Sequence, residues 1–167
     1  MIVYYTLNTK NYFIVSAHRE ENIDSIDNMT NLVETLNALA EKYDIPVIVS
    51  THPRTRKQLQ LLPGFKEITN VQFHEPFGFF DYIKLQVNAK CVISDSGSIS
   101  EESSILRFPA ITIRDSMERP EALDTGSIIM TGLRKDEVLA GIEVAISLPI
   151  DFENSLPLGY EVSDFSN

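Results

Sequence analysis

Short polar segments of the sequence combine histidine, arginine, hydroxyl side chains and carboxylates, the groups that bind phosphate and transfer protons. Each of five such segments directly follows a short apolar run rich in valine and isoleucine. In chain order they are AHREEN at 17–22, THPR at 51–54, HEP at 74–76, DSGS at 95–98 and RDSMERPE at 114–121. Polar segments at the ends of apolar runs are typical of ligand sites in α/β proteins.

The segment Asp95-Ser96-Gly97-Ser98 favours an anionic ligand. Small residues between a strand and a helix let backbone N–H groups approach an anion, and the helix dipole favours negative charge there. An equally weighted alternative is an ordinary helix start, with Ser98 as the N-cap and Glu101 completing a capping box. The segment lacks both the GxGxxG pattern and the P-loop lysine, so neither a dinucleotide site nor a kinase-type site is predicted.

Four further residues are candidates for contact with the same ligand. Glu102 lies one helical turn after Ser98 and could accept hydrogen bonds from a sugar diol, although acidic residues also favour the first turn of any helix. His18 and Arg19 could bind a phosphate or donate a proton to a leaving group, or simply be solvated loop residues. Arg119 follows the fifth apolar run and could bind the ligand or form a local salt bridge.

Strands and helices alternate along the chain and must position these residues. Apolar runs without polar alternation predict strands covered on both faces, and apolar residues at three- and four-residue spacing predict helices. The predicted strands are Tyr12–Ser16, Pro46–Ser50, Val71–Phe73, Cys91–Ser94, Ala110–Ile113 and Ser127–Met130. The predicted helices are Ser25–Tyr43 with Asp24 as N-cap, Thr55–Leu62, Phe79–Asn88, Ile99–Arg107, Pro120–Asp124 and Lys135–Ser147. Six strand–helix units predict a doubly wound, Rossmann-like α/β fold that binds ligands beyond the carboxyl ends of its strands.

Composition narrows the class of protein further. A chain of 167 residues with 43% hydrophobic content predicts a single folded domain. The net charge of −10 argues against nucleic acid and anionic membranes as partners. The single cysteine, Cys91, cannot form an intrachain disulfide, and no zinc-ligand spacing is present. With neither a signal peptide nor an apolar stretch of about 20 residues, the chain is expected to be cytoplasmic.

Four of these segments together resemble a known family. YFIVSAHREEN, HPR, ISDSGSISEES and IRDSMERPEAL occur in the order and spacing of the C-terminal half of the non-hydrolysing UDP-N-acetylglucosamine 2-epimerases. The resemblance runs from about residue 11 to the end. It implies the second Rossmann-like domain of a glycosyltransferase-B-type (GT-B) two-domain fold. We then expect residues 1–10 to be a connecting segment, residues 150–167 a truncated C-terminal tail, and the N-terminal domain to be missing.

The resemblance also implies a role for each candidate residue. His18 would contact the diphosphate and take part in catalysis, with Arg19 beside it. The remaining implied contacts are with the phosphates (Ser96, Gly97, Ser98), the ribose (Glu102), the uracil (Phe77, Tyr82) and the nucleotide (Arg119). Ser98 replaces the commoner second glycine, and the sequence SISEES looks more like the branch acting on 6-deoxy sugars. No metal or redox cofactor is implied.

The implied reaction inverts C2 of a UDP-N-acetylhexosamine for surface polysaccharide synthesis. UDP leaves by anti elimination after C2 loses its proton, and UDP then adds back. The family's acid and base carboxylates lie in the missing domain, so the chain alone is expected to be inactive, and the full-length enzyme is expected to be a homodimer. The alternatives are a retaining glycosyltransferase of the same architecture, which the HREEN and ERPE segments disfavour, and a non-catalytic nucleotide-binding module.

Overall fold

The computed structural model describes residues 10–66, 70–114 and 128–148. Its strands are β1 (Phe13–Ser16), β2 (Val47–Ser50), β3 (Val71–His74), β4 (Cys91–Ser94), β5 (Ala110–Thr112) and β6 (Ile129–Met130). Its helices are α1 (Glu20–Ile23), α2 (Ile26–Tyr43), α3 (Pro53–Leu61), α4 (Phe79–Asn88), α5 (Ile99–Leu106) and α6 (Lys135–Ser147). The alternation confirms the predicted α/β fold.

The six strands form one parallel sheet in the order β3-β2-β1-β4-β5-β6. This order is that of Rossmann-like sheets. In such sheets the first strands are added outward from β1 on one side, and the later strands are added on the other side. The reversal falls between β1 and β4. At such a switch point the loops after the two strands diverge to opposite sides, which opens a crevice at the carboxyl edge of the sheet.

Helices cover both faces of the sheet because successive residues of each strand point to opposite sides. Helices α2, α3 and α6 pack on one face, and α4 and α5 pack on the other. The first face buries Phe13, Val15, Val47, Val49, Cys91, Ile93 and Ile111, and the second buries Ile14, Ile48, Val92 and Ala110. Apolar residues at consecutive strand positions thus supply two cores.

Differences from the predicted elements are confined to their ends and to one short helix. The N-cap of α2 is Ser25, whose hydroxyl accepts from the Asn28 N–H, so the prediction of Asp24 was wrong. Helix α3 starts earlier than predicted because Pro53 takes the first helical position and the His52 side chain accepts from the Arg54 N–H. The four-residue helix α1 was not predicted. The predicted helix Pro120–Asp124 lies outside the described residues.

The described helices are also too short or too polar to cross a lipid bilayer.

Candidate functional site

Strands β1, β2, β4 and β5 end in a row of hydroxyl side chains. Ser16 pairs in register with Ser50 on one side and with Ser94 on the other, and Ser94 pairs with Thr112. All four follow the core residues of the α4–α5 face by two positions, so they lie on that face. Small hydroxyl groups leave room above the strand ends. Ser16, Ser50 and Ser94 form the floor of the crevice.

The crevice opens into a cavity of about 260 Å³ above this floor. Five residues that the sequence analysis singled out line it: His18, Phe77, Tyr82, Ser96 and Glu102. The remaining lining residues are Ser16, Ser50, Pro76, Gln86 and Ser94. Residues far apart in sequence therefore meet at the carboxyl edge, as the strand-end argument predicted.

Asp95 joins the two sides of the crevice. It is only 2% exposed, and it immediately follows β4. Its Oδ2 accepts hydrogen bonds from the backbone N–H groups of His18 and Arg19 at 3.0 and 2.9 Å and from the Asn22 side-chain amide at 2.9 Å. These three donors, two from the backbone just before α1 and one from the Asn22 side chain within it, stabilise a buried carboxylate. The segment after β1 is thereby held to the segment after β4.

The turn after β4 organises its own hydroxyl groups. The Ser96 N–H donates to the Ser94 hydroxyl at 3.1 Å, and the Ser98 N–H donates to the Ser96 hydroxyl at 3.4 Å. The two hydroxyls of Ser96 and Ser98 lie 3.0 Å apart. Ser98 is the N-cap of α5, but its side chain accepts no capping hydrogen bond, so the capping box is not formed. The Ser98 hydroxyl points instead towards Glu102.

Gly97 allows a buried arginine to approach this turn. A Cβ atom at Gly97 would lie 3.4 Å from Nη1 of Arg114, which is a tight contact. Arg114 follows β5 and is only 5% exposed. Its guanidinium places a positive charge against the turn, inside a chain of net charge −10. The sequence analysis noted the segment that begins at Arg114 but gave this residue no role.

Both oxygens of the Glu102 carboxylate are held by protein donors. Oε1 accepts from the Ser98 hydroxyl at 2.6 Å, and Oε2 accepts from the Gln86 side-chain amide at 3.0 Å. Glu102 lies on α5 and Gln86 on α4, so the contact crosses between two helices that pack on the same face. The carboxylate is therefore oriented at the wall of the cavity.

Aromatic side chains form the side of the cavity near α4. The rings of Phe77 and Tyr82 are nearly parallel, with an interplanar angle of 13° and centroids 6.5 Å apart. His74 lies next to them, its ring centroid 5.7 Å from that of Phe77. Burial raises the pKa of Tyr82 to about 12, although the neighbouring Ser16 and Gln86 side chains partly counteract it. The Tyr82 hydroxyl therefore stays protonated at neutral pH.

His18 lies at the mouth of the cavity. Partial burial of the imidazole lowers its pKa, and the charge of nearby Asp95 opposes this shift while His52 adds to it. A lowered pKa leaves the ring largely neutral at pH 7, able to donate through one nitrogen and accept through the other. Its backbone, not its side chain, carries the contact with Asp95.

The arginines beside the predicted histidines make surface contacts. Arg19 donates from Nε to Glu21 at 2.8 Å and is not among the residues that line the cavity. Arg54 pairs with Asp24 at 2.7 Å and reaches Glu20 at 3.6 Å. Arg119, the remaining predicted site residue, lies outside the described residues.

Two further residues of the site were missed by sequence reasoning, besides Arg114. Asp95 was quoted as part of the turn without a role, and Gln86 was taken as one position of an amphipathic helix. In the sequence, an amide residue on an otherwise apolar helical face is a signal that could have pointed to Gln86. Among the described residues, no group of histidine, cysteine and carboxylate side chains has the arrangement of a metal site.

These features define a Rossmann-like α/β domain with a polar crevice at its topological switch point. The chain belongs to the UDP-N-acetylglucosamine 2-epimerase family, whose sequence model matches residues 2–156. The resemblance seen in the sequence is thereby confirmed.

A relative from an archaeon shows the extent of the match, both in sequence and in its crystal structure. The UDP-N-acetylglucosamine 2-epimerase of Methanocaldococcus jannaschii is 35% identical over 146 residues, which is 86% of this chain and 40% of that protein. A crystal structure of the M. jannaschii enzyme in complex with UDP-GlcNAc and UDP superposes with a TM-score of 0.82 at 32% identity, over 95% of this chain and 44% of that one. The chain thus spans less than half the length of this relative.

Two other solved structures show how structural similarity to this chain varies with sequence identity. The Rickettsia bellii UDP-N-acetylglucosamine 2-epimerase has a TM-score of 0.76 at 40% identity, over 88% of this chain and 38% of that one. An Escherichia coli heptosyltransferase with ADP-2-deoxy-2-fluoro heptose has a TM-score of 0.58 at 16% identity, over 81% of this chain and 44% of that one. At that identity the heptosyltransferase shares the fold alone.

Proposed function

We propose that the chain is the UDP-binding half of a UDP-N-acetylglucosamine 2-epimerase. The observation that carries this proposal is the convergence of an aromatic pair, a doubly held carboxylate and a small-residue turn in one crevice at the switch point. Family membership supports it, as does the likeness to a structure that holds UDP-GlcNAc and UDP. In this proposal the chain corresponds to the C-terminal domain of the complete enzyme.

Each part of the crevice suits one part of the nucleotide. Uracil is planar and would pack against the rings of Phe77 and Tyr82. Glu102 would accept hydrogen bonds from the ribose hydroxyls. The turn Ser96-Gly97-Ser98 would hold the phosphates at the N-terminus of α5, with the Ser96 hydroxyl exchanging its contact with Ser98 for a phosphate oxygen while the Ser98 hydroxyl keeps its hydrogen bond to Glu102.

Three basic side chains would complete the phosphate site. His18 at the cavity mouth would donate to the diphosphate and take part in catalysis. Arg19 would exchange Glu21 for a phosphate oxygen. The role of Arg119 as a nucleotide contact rests on the sequence resemblance alone.

In the proposed reaction, this chain binds the leaving group, UDP. A base in the other domain removes the C2 proton, the electron pair forms the C1–C2 double bond, and the C1–O bond breaks so that UDP departs with its electrons. Re-addition of UDP at C1, with protonation of C2 on the opposite face, gives the inverted product. The crevice stabilises the negative charge that develops on UDP.

The activity is tested with the complete enzyme and with this chain alone. We expect the complete enzyme to interconvert the C2 epimers of UDP-GlcNAc or of a 6-deoxy analogue, and this chain to have no turnover because it lacks the acid and base carboxylates. Epimers are resolved after incubation with each sugar. Turnover by the purified chain, or an acceptor-dependent glycoside as the product of the complete enzyme, would contradict the proposal.

The assigned contacts are tested by two substitutions in this chain. Glu102→Ala should reduce discrimination between UDP and 2′-deoxy-UDP, because the carboxylate is assigned to the ribose hydroxyls. Arg119→Ala should weaken both ligands alike. Loss of a charge-assisted hydrogen bond corresponds to roughly ten- to hundredfold in dissociation constant. Calorimetric titration measures both effects, and unchanged affinity in both variants would show that the site is assigned wrongly.

A further inference from the structure

Gln86 is a buried amide in a helix position that would ordinarily be apolar. It is 1% exposed, and its neighbour Leu85 belongs to the core between α4, α5 and the sheet. Burial of a primary amide is unfavourable unless each of its polar atoms finds a partner. The contacts of Gln86 therefore require a reason other than packing.

One half of the amide is committed to Glu102. Because a carboxylate only accepts, the nitrogen of Gln86 must face it, and Nε2 donates to Oε2 at 3.0 Å. The other half, Oε1, has no hydrogen-bond partner in the part of the chain that the structure describes. The Tyr82 side chain lies beside the amide. Gln86 thus lies between the Phe77–Tyr82 pair and the Glu102 carboxylate. Its acceptor atom Oε1 is not used by either of them.

The two donors on Glu102 leave a defined set of acceptor sites. Two carboxylate oxygens offer about four lone-pair directions. Ser98 occupies one on Oε1 and Gln86 occupies one on Oε2. One direction then remains on each oxygen, a pattern that matches two neighbouring hydroxyl groups such as the 2′ and 3′ hydroxyls of a ribose. Without Gln86 the carboxylate would be held at one oxygen only and could rotate about its terminal bond.

We propose that Gln86 is a positioning residue that fixes the Glu102 carboxylate in the orientation that recognises a ribose diol. The proposal rests on the proposed function, which assigns the ribose to Glu102. It adds that recognition of ribose over 2′-deoxyribose depends on a residue of α4 that itself makes no contact with the sugar. Oε1, which has no hydrogen-bond partner among the described residues, is the structural cost of this arrangement.

Gln86→Met separates positioning from a merely structural role. Methionine has a similar length and removes the unpartnered acceptor, so the variant should be at least as stable as the wild type in thermal unfolding. We expect it to bind UDP about tenfold more weakly, and to lose clearly less affinity for 2′-deoxy-UDP, which keeps only the 3′ hydroxyl contact with Glu102. The matched control is Gln60→Met, the same change at an exposed position of α3, which should leave both affinities unchanged.

A double variant completes the test. If Gln86 acts through Glu102, then Gln86→Met should cause no further loss of UDP affinity in a Glu102→Ala background. Equal loss for both nucleotides, or wild-type UDP affinity in Gln86→Met, would overturn the positioning role and leave the proposed function standing. A wild type that binds UDP and 2′-deoxy-UDP equally would overturn the assignment of ribose to Glu102, and the positioning role with it. Calorimetric titration with both nucleotides distinguishes these results, carried out on the wild type, the two single variants, the double variant and the Gln60→Met control.

Discussion

Asp95 determines the position of the His18 backbone. Its carboxylate reaches across 77 residues of sequence to the His18 N–H and also holds the Arg19 N–H and the Asn22 amide. All three donors to the Asp95 carboxylate come from the segment after β1, not from the turn that contains Asp95. The segment after β1 therefore depends on this carboxylate for its position.

Asp95→Asn should be strongly destabilising for this reason. If the asparagine oxygen takes the place of Oδ2 and keeps the three donors, its NH2 group replaces Oδ1 and faces the His18 N–H, and the donors lose the negative charge they now share. We expect a loss of about 2–3 kcal/mol in the free energy of unfolding, measured in urea. Asp24→Asn is the control, because Asp24 is an exposed partner of Arg54 and such surface pairs contribute less than about 1 kcal/mol. Equal, small losses in both variants would contradict the role given to Asp95.

His18 should make UDP binding depend on pH. Partial burial lowers the pKa of His18 in the free protein from its ordinary value, and a bound diphosphate would raise that pKa. Binding then takes up a proton, so the affinity increases as pH falls through the pKa of the bound state and levels off below the pKa of the free state.

The measurement is a series of titrations between about pH 5.5 and 8 on the wild type and on His18→Gln. Ionisation of the terminal phosphate of UDP affects both proteins equally, so the difference between their profiles isolates His18. Parallel profiles would show that the imidazole does not face the phosphates.

Residue types and strand ends were enough to predict part of the site. His18, Ser96 and Glu102 follow strands or lie at the start of a helix, and a parallel sheet brings such positions to one edge. Phe77 and Tyr82 came from the resemblance alone. Gln86 and Arg114 were missed because their contacts depend on how closely α4 approaches α5 and β5 approaches the turn, which sequence spacing does not specify.

The elements themselves were largely predictable. The bounds of β4, α4 and α6 match the predicted ranges, because apolar periodicity and flanking polar residues define them clearly. Helix α1 was not predicted, since four residues are too few to show a period and its first turn is held by Asp95 from another part of the chain. The order of the strands in the sheet was likewise set by tertiary packing and not by any local pattern.

Gly141 marks the tightest contact between a helix and the sheet among the described glycines. A Cβ atom there would lie 2.6 Å from Cγ2 of Thr131 and 3.5 Å from Cγ2 of Ile129. The absence of a side chain lets α6 lie close to the end of β6. Packing on this face thus depends on one glycine.

Gly141→Ala should destabilise the protein by about 1–3 kcal/mol through overpacking. The sign is informative, because glycine to alanine inside a helix ordinarily stabilises by roughly 0.5–1 kcal/mol. Thr131→Ser removes the methyl group that the new Cβ would meet, so Gly141→Ala should cost much less in that background. Urea unfolding of the two single variants and the double variant measures this, and additive losses would show that the contact is not the cause.

At the scale of the whole molecule, the described residues form one sheet with a core on each face and a crevice along its carboxyl edge. The Rossmann-like class was predictable from the alternation of elements and is confirmed. The chain spans about 40% of the length of its M. jannaschii relative. The proposed function assigns the carboxylates that move the C2 proton to the other domain of an epimerase. In the proposed function, nucleotide binding depends on residues that this chain holds.

The central claim is that this chain binds the nucleotide without the other domain. Calorimetric titration of the 167-residue chain with UDP, in magnesium-free buffer containing a chelator, tests that claim most directly. We expect weak, saturable binding of one UDP that does not change when magnesium is restored, because every assigned contact is a side chain or backbone group of this chain. Absence of binding, or binding that appears only with magnesium, would show that the crevice at the β1–β4 switch point is not a self-sufficient nucleotide site.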